Sequence, residues 1–419
     1  MKFLNKQFTQ ETLKLALPVM LTQVGQVSVN LFDNIIVGKL LGAKALAAVS
    51  LGNAMFFSIF IFGLGFSLAI PPLVSEAHSQ HDHNRINSIF RHGFVVNIIL
   101  AFVLMLLIFG IIPLMPYLNQ PKEILPDTIT FLSIVTLSII PFMIFQTMRE
   151  VSEGLSFTIG VTKATIFANI INVILNYVFI ENFKMGVAGS AWATFIARVA
   201  MMVFLYYVLI KEEKTRRYIK DFSLKIKDFS KEMFEKLIRL GFPTALQLFF
   251  EVTAFAGAAF ICGLISAKDI AAHQIALSMA SFTFNLCVGF SVASTVMIGR
   301  KLGEKDFVNL EKVGFNNLKI AFIFMLMCGL VFILGKDVLP TFFTKKEDIA
   351  VVELASQLMI IAALFQLSDG IQVTALGCLR GIQDVKIPSI LTFIAYWVIT
   401  IPLGYYLTVP MKMGAFGMW

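Results

Sequence analysis

The stretch KMGVAGSAW, residues 184–192, returns near the end of the chain as KMGAFGMW, residues 412–419, at a spacing of 228 residues. Earlier segments repeat at nearly the same spacing. AKALAA (43–48) matches AKDIAA (267–272), GFS (65–67) matches GFS (289–291), and Pro18 matches Pro243. A self-match over about half of the chain indicates two structurally equivalent halves.

The composition is that of a membrane protein. Hydrophobic residues make up 58% of the 419 residues and charged residues only 14%, with a mean hydropathy of +0.82, whereas about a quarter of the residues in a soluble domain are charged. The apolar runs reach the roughly 20 residues that a helix needs to cross the hydrocarbon layer. Spans are predicted at 15–38, 46–74, 93–116, 127–148, 161–180, 186–210, 240–264, 270–298, 318–342, 349–378 and 387–409. The predicted fold class is an all-α polytopic membrane protein.

The repeat arranges these spans as two six-helix lobes, 1–210 and 240–419, joined by a cytoplasmic linker at 211–239. Because six is an even number, the second copy enters the membrane in the same direction as the first, which is the parallel repeat found among secondary transporters. The first KMG stretch opens a sixth helix, so Met413 is expected to open a twelfth, with roughly 20 further residues to follow. Eleven complete helices, a truncated twelfth and one unfilled groove in the C-terminal lobe are therefore expected.

Basic residues predict the orientation, because cytoplasmic loops carry an excess of Lys and Arg. The linker 211–239 alone contains ten Lys/Arg against six Asp/Glu. With the N-terminus inside, the cytoplasmic segments carry 23 Lys/Arg and the outer segments nine. A cytoplasmic N-terminus in the inner (plasma) membrane is therefore predicted.

Three carboxylates lie within predicted spans: Asp33, Glu251 and Asp369. A charge at this depth costs about 2.5–3.5 kcal/mol on insertion scales, so each acid is expected to have an ionic partner, to face a water-filled cavity or to serve in the protein's function. Salt bridges are one interpretation, but only Arg198 and Arg149 are identified as bases near membrane depth. The other interpretation is that the acids carry a proton or bind a cation, because removal from water disfavours the bare anion.

Polar residues in the first half extend the Asp33 site. Asn172 and Asn176 are four residues apart and share one helix face, and Thr194 adds a hydroxyl on the next span. Such oxygen ligands suit a hard cation or a proton relay. Hydrogen bonding between helices is the alternative for each of them.

Aromatic residues near the acids are candidates for a substrate cavity, because ring faces attract cationic groups. The candidates are Phe249, Phe250, Phe255 and Phe365, with Gln274 added on span eight. The chain has 42 phenylalanines, and most must face lipid or pack between helices, so packing is the alternative.

The sequence lacks the residue patterns that several other functions require. Four histidines (His78, His81, His83, His92) cluster in one predicted cytoplasmic loop, but no zinc-type cysteines accompany them and no metal is expected. No Gly-x-x-x-x-Gly-Lys-Ser/Thr phosphate loop occurs, so transport driven directly by ATP is not expected. A membrane enzyme is disfavoured, since His273 is the only histidine seen within a span and no nucleophile is paired with it.

The chain resembles the multidrug and toxic compound extrusion (MATE) transporters, and within them the NorM-like bacterial branch. The resemblance runs from LALPVMLTQVGQ near the N-terminus to the terminal MGAFGMW. Its more specific pieces are VNLFDNIIVGKLLGAKALAAVSLG (29–52), NVILNY (172–177), AKDIAAHQIALS (267–278) and FQLSDGIQVTALGCLRGIQDVK (365–386). Each piece alone is weak, but together their order and spacing are specific.

This resemblance implies twelve helices in two lobes around a V-shaped cleft. It implies export of diverse, often cationic amphiphilic drugs in exchange for Na⁺ or H⁺, by a monomer in the bilayer without cofactor or nucleic acid. Asp33 matches the family's first-helix acid, with Asn172, Asn176 and Thr194 around it, and Glu251 and Asp369 match the C-terminal acids. Phe365 lacks the hydroxyl that tyrosine supplies in some relatives. A flippase for lipid-linked precursors, which has a similar architecture, is the alternative.

Overall fold

The computed structural model describes residues 4–117, 121–343 and 349–419, which form helices joined by short turns. In chain order the helices are α1 (Lys6–Leu41), α2 (Ala43–Ser67), α3 (Ile70–Ser79), α4 (His83–Ile111), α5 (Leu125–Leu137), α6 (Ile139–Gly154), α7 (Ile159–Tyr177), α8 (Gly186–Lys211), α9 (Glu213–Lys220), α10 (Lys231–Gly263), α11 (Ala267–Gly303), α12 (Phe307–Gly335), α13 (Ile349–Gly381), α14 (Lys386–Phe393), α15 (Ile401–Thr408) and α16 (Ala415–Met418). Two π-helical turns, Val178–Asn182 and Ile394–Thr400, continue α7 and α14. The described residues contain no strand.

Within the described ranges, ten stretches are long and apolar enough to cross a membrane, and the bent pair α5 and α6 brings the number to eleven. This agrees with the eleven predicted spans and confirms a polytopic all-α membrane protein. The bend of 42° between α5 and α6 lies at Ser138. Pro141 in the first turn of α6 has no N–H to donate to the carbonyl of Leu137, so a straight helix cannot continue there.

The two copies of the KMG stretch share one backbone conformation. Lys184 and Gly186 have φ of 51° and 60°, and Lys412 and Gly414 have φ of 56° and 62°. Glycine adopts a positive φ without steric cost, which explains why it occupies the second of these positions in both copies. A helix begins at Gly186 in the first copy and at Ala415 in the second. The stretch thus opens a helix in both halves, as its repetition predicts.

Packing divides the chain into two compact units whose bounds differ from the predicted lobes. An N-terminal unit comprises Leu21–Ala245, and a C-terminal unit comprises Met1–Met20 together with Leu246–Trp419. The division falls inside α1 and α10, two residues after Pro18 and Pro243, which are equivalent in the repeat. The first turns of each of these long helices therefore pack with the opposite half of the sequence.

Specific contacts fix the first turns of α1 and α10 against the opposite half of the sequence. In the C-terminal unit, the hydroxyl of Thr12 donates to Asn317 Oδ1 at 2.6 Å. In the N-terminal unit, Gly65 packs so closely against the backbone of Ala245 that a Cβ on Gly65 would lie 2.6 Å from its Cα. Small residues that let backbones approach are the usual means of helix association in membranes.

The close packing of α11 on α13 forms the core of the C-terminal unit. Ser291 on α11 donates its hydroxyl to the carbonyl of Val373, and Thr295 donates to the carbonyl of Gly377, at 2.6 and 2.9 Å. Gly377 lies directly against the Ser291 carbonyl, so a Cβ there would overlap that oxygen. This packing fixes the position of α13, which carries Asp369.

We expect Gly377→Ala to lower the free energy of unfolding by about 1–3 kcal/mol, because the added methyl group overpacks the α11–α13 contact. Gly110→Ala on α4 is the matched control, since a Cβ there meets no atom within 4 Å. Thermal unfolding in detergent, followed by size-exclusion chromatography, measures both. Equal melting temperatures for the two variants would contradict the packing argument.

Candidate functional site

The acid of the first half lies in a buried polar cluster between α1 and α7. Asn176 Nδ2 donates to Asp33 Oδ1 at 2.7 Å and to Asn172 Oδ1 at 3.3 Å. All three side chains are buried. Asn176 Oδ1 is buried and has no hydrogen-bond partner among the described residues. The cluster therefore presents an open oxygen acceptor beside a carboxylate, which suits a hard cation.

Arg198 on α8 provides the electrostatic partner of Asp33. Its Nη1 donates to Ser138 Oγ at 2.7 Å, and its guanidinium carbon lies 4.8 and 5.2 Å from the ring centroids of Phe56 and Phe142. The α5–α6 bend supplies the serine, and the rings stabilise the cation by cation–π attraction. The sequence identified Arg198 as a base but could not show this aromatic enclosure.

The hydroxyl group of Thr194 forms its hydrogen bond within its own helix. Its hydroxyl donates to the carbonyl of Ser190 at 3.1 Å. In the described part of the chain, no hydrogen bond joins Thr194 to Asp33 or to the two asparagines. The structure therefore brings together three of the four residues proposed for this cluster, and a role for Thr194 stays a prediction.

The acids of the second half form a pair. Glu251 on α10 and Asp369 on α13 are 5% and 4% exposed and interact electrostatically with each other. Asp369 Oδ1 is buried without a hydrogen-bond partner among the described residues. Arg380, at the end of α13, is the basic group that interacts with Glu251, and sequence reasoning overlooked it. Two acids close together in a dry site favour the presence of a proton or a cation between them.

A tyrosine that the sequence analysis missed lies beside this pair. Tyr396, in the π-helical turn Ile394–Thr400, interacts electrostatically with both Glu251 and Asp369. Gln372 Nε2 donates to its hydroxyl oxygen at 3.2 Å. Phe365 lacks a hydroxyl, and Tyr396 brings one to the acids from a different helix. The only sequence signal was a tyrosine within an apolar span.

Four aromatic side chains, beginning with Tyr396, form a row. Tyr396, Phe255, Phe365 and Trp419 have successive ring centroids 5.8, 6.4 and 5.7 Å apart. At its end, Trp419 Nε1 donates to His273 Nδ1 at 2.9 Å. This aromatic row contains two of the proposed cavity residues, Phe255 and Phe365.

The other three proposed cavity residues lie outside this row. Phe250 packs on Phe393 with centroids 4.9 Å apart, and its carbonyl accepts from Trp397 Nε1 at 3.1 Å. Phe249 lies beside Phe250, and Gln274 is exposed on α11. Their roles remain predictions.

Two of the four clustered histidines, His83 and His92, contact protein groups outside the cluster. His83 Nδ1 is 2.8 Å from the hydroxyl of Tyr218, and His92 Nε2 accepts from the backbone N–H of Ser230 at 2.8 Å. Across residues 4–117, 121–343 and 349–419, no group of three or more His, Cys, Asp or Glu side chains could hold a metal ion.

The membrane-spanning bundle defines a multi-pass membrane protein, and its relatives are multidrug resistance transporters rather than enzymes. The MatE family model matches the chain twice, at residues 18–178 and 243–406, once in each half of the repeat. The chain belongs to the MatE family.

Individual relatives support this assignment. The chain is 31% identical to "Multidrug resistance protein NorM" of Photobacterium profundum, over 98% of this chain and 91% of that protein. It is 33% identical to "Probable multidrug resistance protein NorM" of Agrobacterium fabrum, over 97% and 89%. Its fold matches that of the eukaryotic MATE transporter AtDTX14 with a TM-score of 0.89 at 16% identity, over 99% of this chain and 91% of that one.

We expect Glu251→Gln and Asp369→Asn to be non-additive in stability, by about 0.5–3 kcal/mol, because neutralising either acid removes the repulsion between them. The measurement is a double-mutant cycle of thermal unfolding in Na⁺-free choline buffer at alkaline pH. Glu353→Gln combined with Asp369→Asn is the control cycle and should be additive, since these residues are sixteen positions, roughly 24 Å, apart along α13. Additivity in both cycles would show that the pair does not interact.

Proposed function

We propose that this protein is a secondary active multidrug efflux transporter that exports amphiphilic, often cationic compounds in exchange for Na⁺ or H⁺. The observation that carries the proposal is a buried carboxylate site in each half of the repeat, with open acceptor atoms at Asn176 and Asp369. The multidrug resistance relatives support the substrate class.

The exchange depends on a difference in affinity between two conformations. A ligand shifts a two-state equilibrium only by as much as it binds one state more tightly. An acid site that takes up a proton or Na⁺ in one state and releases it in the other meets this requirement. Parallel repeats with a site between their halves are one known arrangement for alternating access.

The aromatic row suits an amphiphilic cation. The faces of Phe255, Tyr396 and Trp419 attract positive groups and offer apolar area, and Tyr396 interacts electrostatically with both acids of the pair. We further propose that the protein acts as a monomer in the inner membrane with its N-terminus in the cytoplasm. The excess of basic residues in the linker 211–239 supports this orientation.

The central test is dye efflux from proteoliposomes under separately imposed Na⁺ and H⁺ gradients. We expect one of the two gradients to drive efflux of an ethidium-type dye. Asp33→Asn and Glu251→Gln should each reduce the efflux rate at least about tenfold, because an amide neither takes up a proton nor carries the negative charge that attracts Na⁺.

The matched control is Glu353→Gln, which neutralises an exposed acid on α13, the same helix as Asp369. This variant should retain the wild-type efflux rate. Absence of efflux under both gradients, or full activity of both acid variants, would refute the proposal. Binding of a polyprenyl lipid without any dye efflux would favour the flippase instead.

If Na⁺ is the coupling ion, Tyr396→Phe should raise the Na⁺ concentration for half-maximal efflux by up to about tenfold, equivalent to loss of about 1.4 kcal/mol of binding. The reason is that the hydroxyl is an oxygen ligand available to an ion held by Glu251 and Asp369. The maximal rate should change little. Tyr405→Phe on α15, an exposed tyrosine, is the control. An unchanged Na⁺ dependence would remove Tyr396 from the site.

A further inference from the structure

The N-terminal unit contains an apolar groove that the proposed transport function does not use. Its volume is about 460 Å³, within the range of small-molecule sites. The groove lies between α4, α6, α8 and the segment that begins with α9. Its lining includes Phe90, Phe94, Met148, Met202, Val203 and Phe222. Aromatic rings and flexible thioethers adapt well to a long, flexible apolar ligand.

The linker forms one wall of this groove and is fixed on α4 by several contacts. The ring of Phe222 lies 4.9 and 5.2 Å from those of Phe90 and Phe94. Arg91 Nη1 pairs with Asp228 Oδ2 at 3.0 Å, and the hydroxyl of Tyr218 lies 2.8 Å from His83 Nδ1. Because these contacts come from three parts of the linker, the groove is a built feature of the fold.

The groove reaches the lipid-facing surface of α8 near the end of that helix. Val203 and Tyr206 both line it and are 54% and 50% exposed. The helix ends at Lys211, and at a rise of about 1.5 Å per residue these two side chains lie roughly 7–12 Å from that end. Tyrosine is enriched at this depth, where hydrocarbon meets headgroups. Membrane lipid therefore has direct access to the groove.

The charges at this end are mainly basic, with five Lys/Arg and three Asp/Glu between residues 211 and 221. Lys211 ends α8 with its ammonium 4.3 Å from the ring centroid of Tyr207, and Lys220 follows Ile219, which lines the groove. Neither lysine forms an ion pair within the described residues, whereas Asp221 and Asp228 are paired with Arg217 and Arg91. No carboxylate lines the groove. An anion is favoured here and a cationic drug is not.

We propose that this groove binds one acyl chain of an anionic phospholipid, whose headgroup lies at Lys211 and Lys220. The apolar lining accounts for the chain, and the two lysines account for the headgroup. Each basic residue near a membrane surface contributes attraction to anionic lipid. A lipid bound here contacts Ile219 and Phe222, which belong to the segment that joins the two halves of the sequence.

The test is native mass spectrometry of the full chain, released from detergent after exchange into equimolar dioleoyl phosphatidylglycerol and dioleoyl phosphatidylcholine. The two lipids share their acyl chains and differ in headgroup charge. We expect the phosphatidylglycerol adduct to dominate. Combining Lys211→Glu with Lys220→Glu should lower the ratio of the two adducts about tenfold, and Val203→Trp, which fills the groove from its exposed side, should lower both adducts.

The matched control reverses an exposed lysine of the C-terminal unit, Lys312→Glu, and should leave the ratio unchanged. Equal retention of the two lipids by the wild-type protein would overturn the proposal, as would undiminished adducts in Val203→Trp. Displacement of the bound lipid by an ethidium-type dye would identify the groove as a drug site instead and would also overturn it.

Discussion

A carboxylate held at membrane depth is the constraint on which the rest of this structure depends. Removing such a group from water is costly unless other groups compensate, and a partly satisfied buried network is less stable than an apolar one. Asp33 receives one hydrogen bond from Asn176, yet the carbonyl oxygen of Asn176 has no donor among the described residues, and Asp369 keeps a buried oxygen without a partner there. Buried polar networks that lack a hydrogen-bond donor in this way are expected where a proton or a cation binds to them during a transport cycle.

The two halves share a sequence repeat but differ in the charged residues at their sites. The first half sets one acid, Asp33, against one base, Arg198. The second sets two acids, Glu251 and Asp369, against the single base Arg380. A site whose acids outnumber its bases gains most from a bound cation. The two sites therefore differ in charge balance: acids and bases are equal in number at the first, and acids are in excess at the second.

The spans, the equivalence of the halves and the buried acids were predictable because they depend on local composition and on helical spacing. Asn172 and Asn176 are four residues apart and therefore share a helix face in any tertiary arrangement. Their hydrogen bond could thus be expected from the sequence alone. Contacts between distant helices did not follow, so the electrostatic interaction of Tyr396 with the two acids was not predictable. The bounds of the compact units were not predictable either, since hydropathy locates a helix without showing which neighbours its two ends contact. The polar run 211–239 suggested a boundary, whereas packing assigns all of it to the N-terminal unit.

The two π-helical turns lie beside residues of the candidate sites. The first, Val178–Asn182, ends two residues before the KMG stretch at Lys184, whereas the second, Ile394–Thr400, ends twelve residues before the stretch at Lys412, so the two turns occupy different places in the repeat. Turns of this kind are rare and frequently lie at functional sites. Here the first directly follows the segment that ends at Tyr177 and carries Asn176, and the second contains Tyr396. Because the two turns lie at different places in the repeat, while each adjoins or contains a residue of the site in its own half, we attribute each turn to its own site rather than to the repeat.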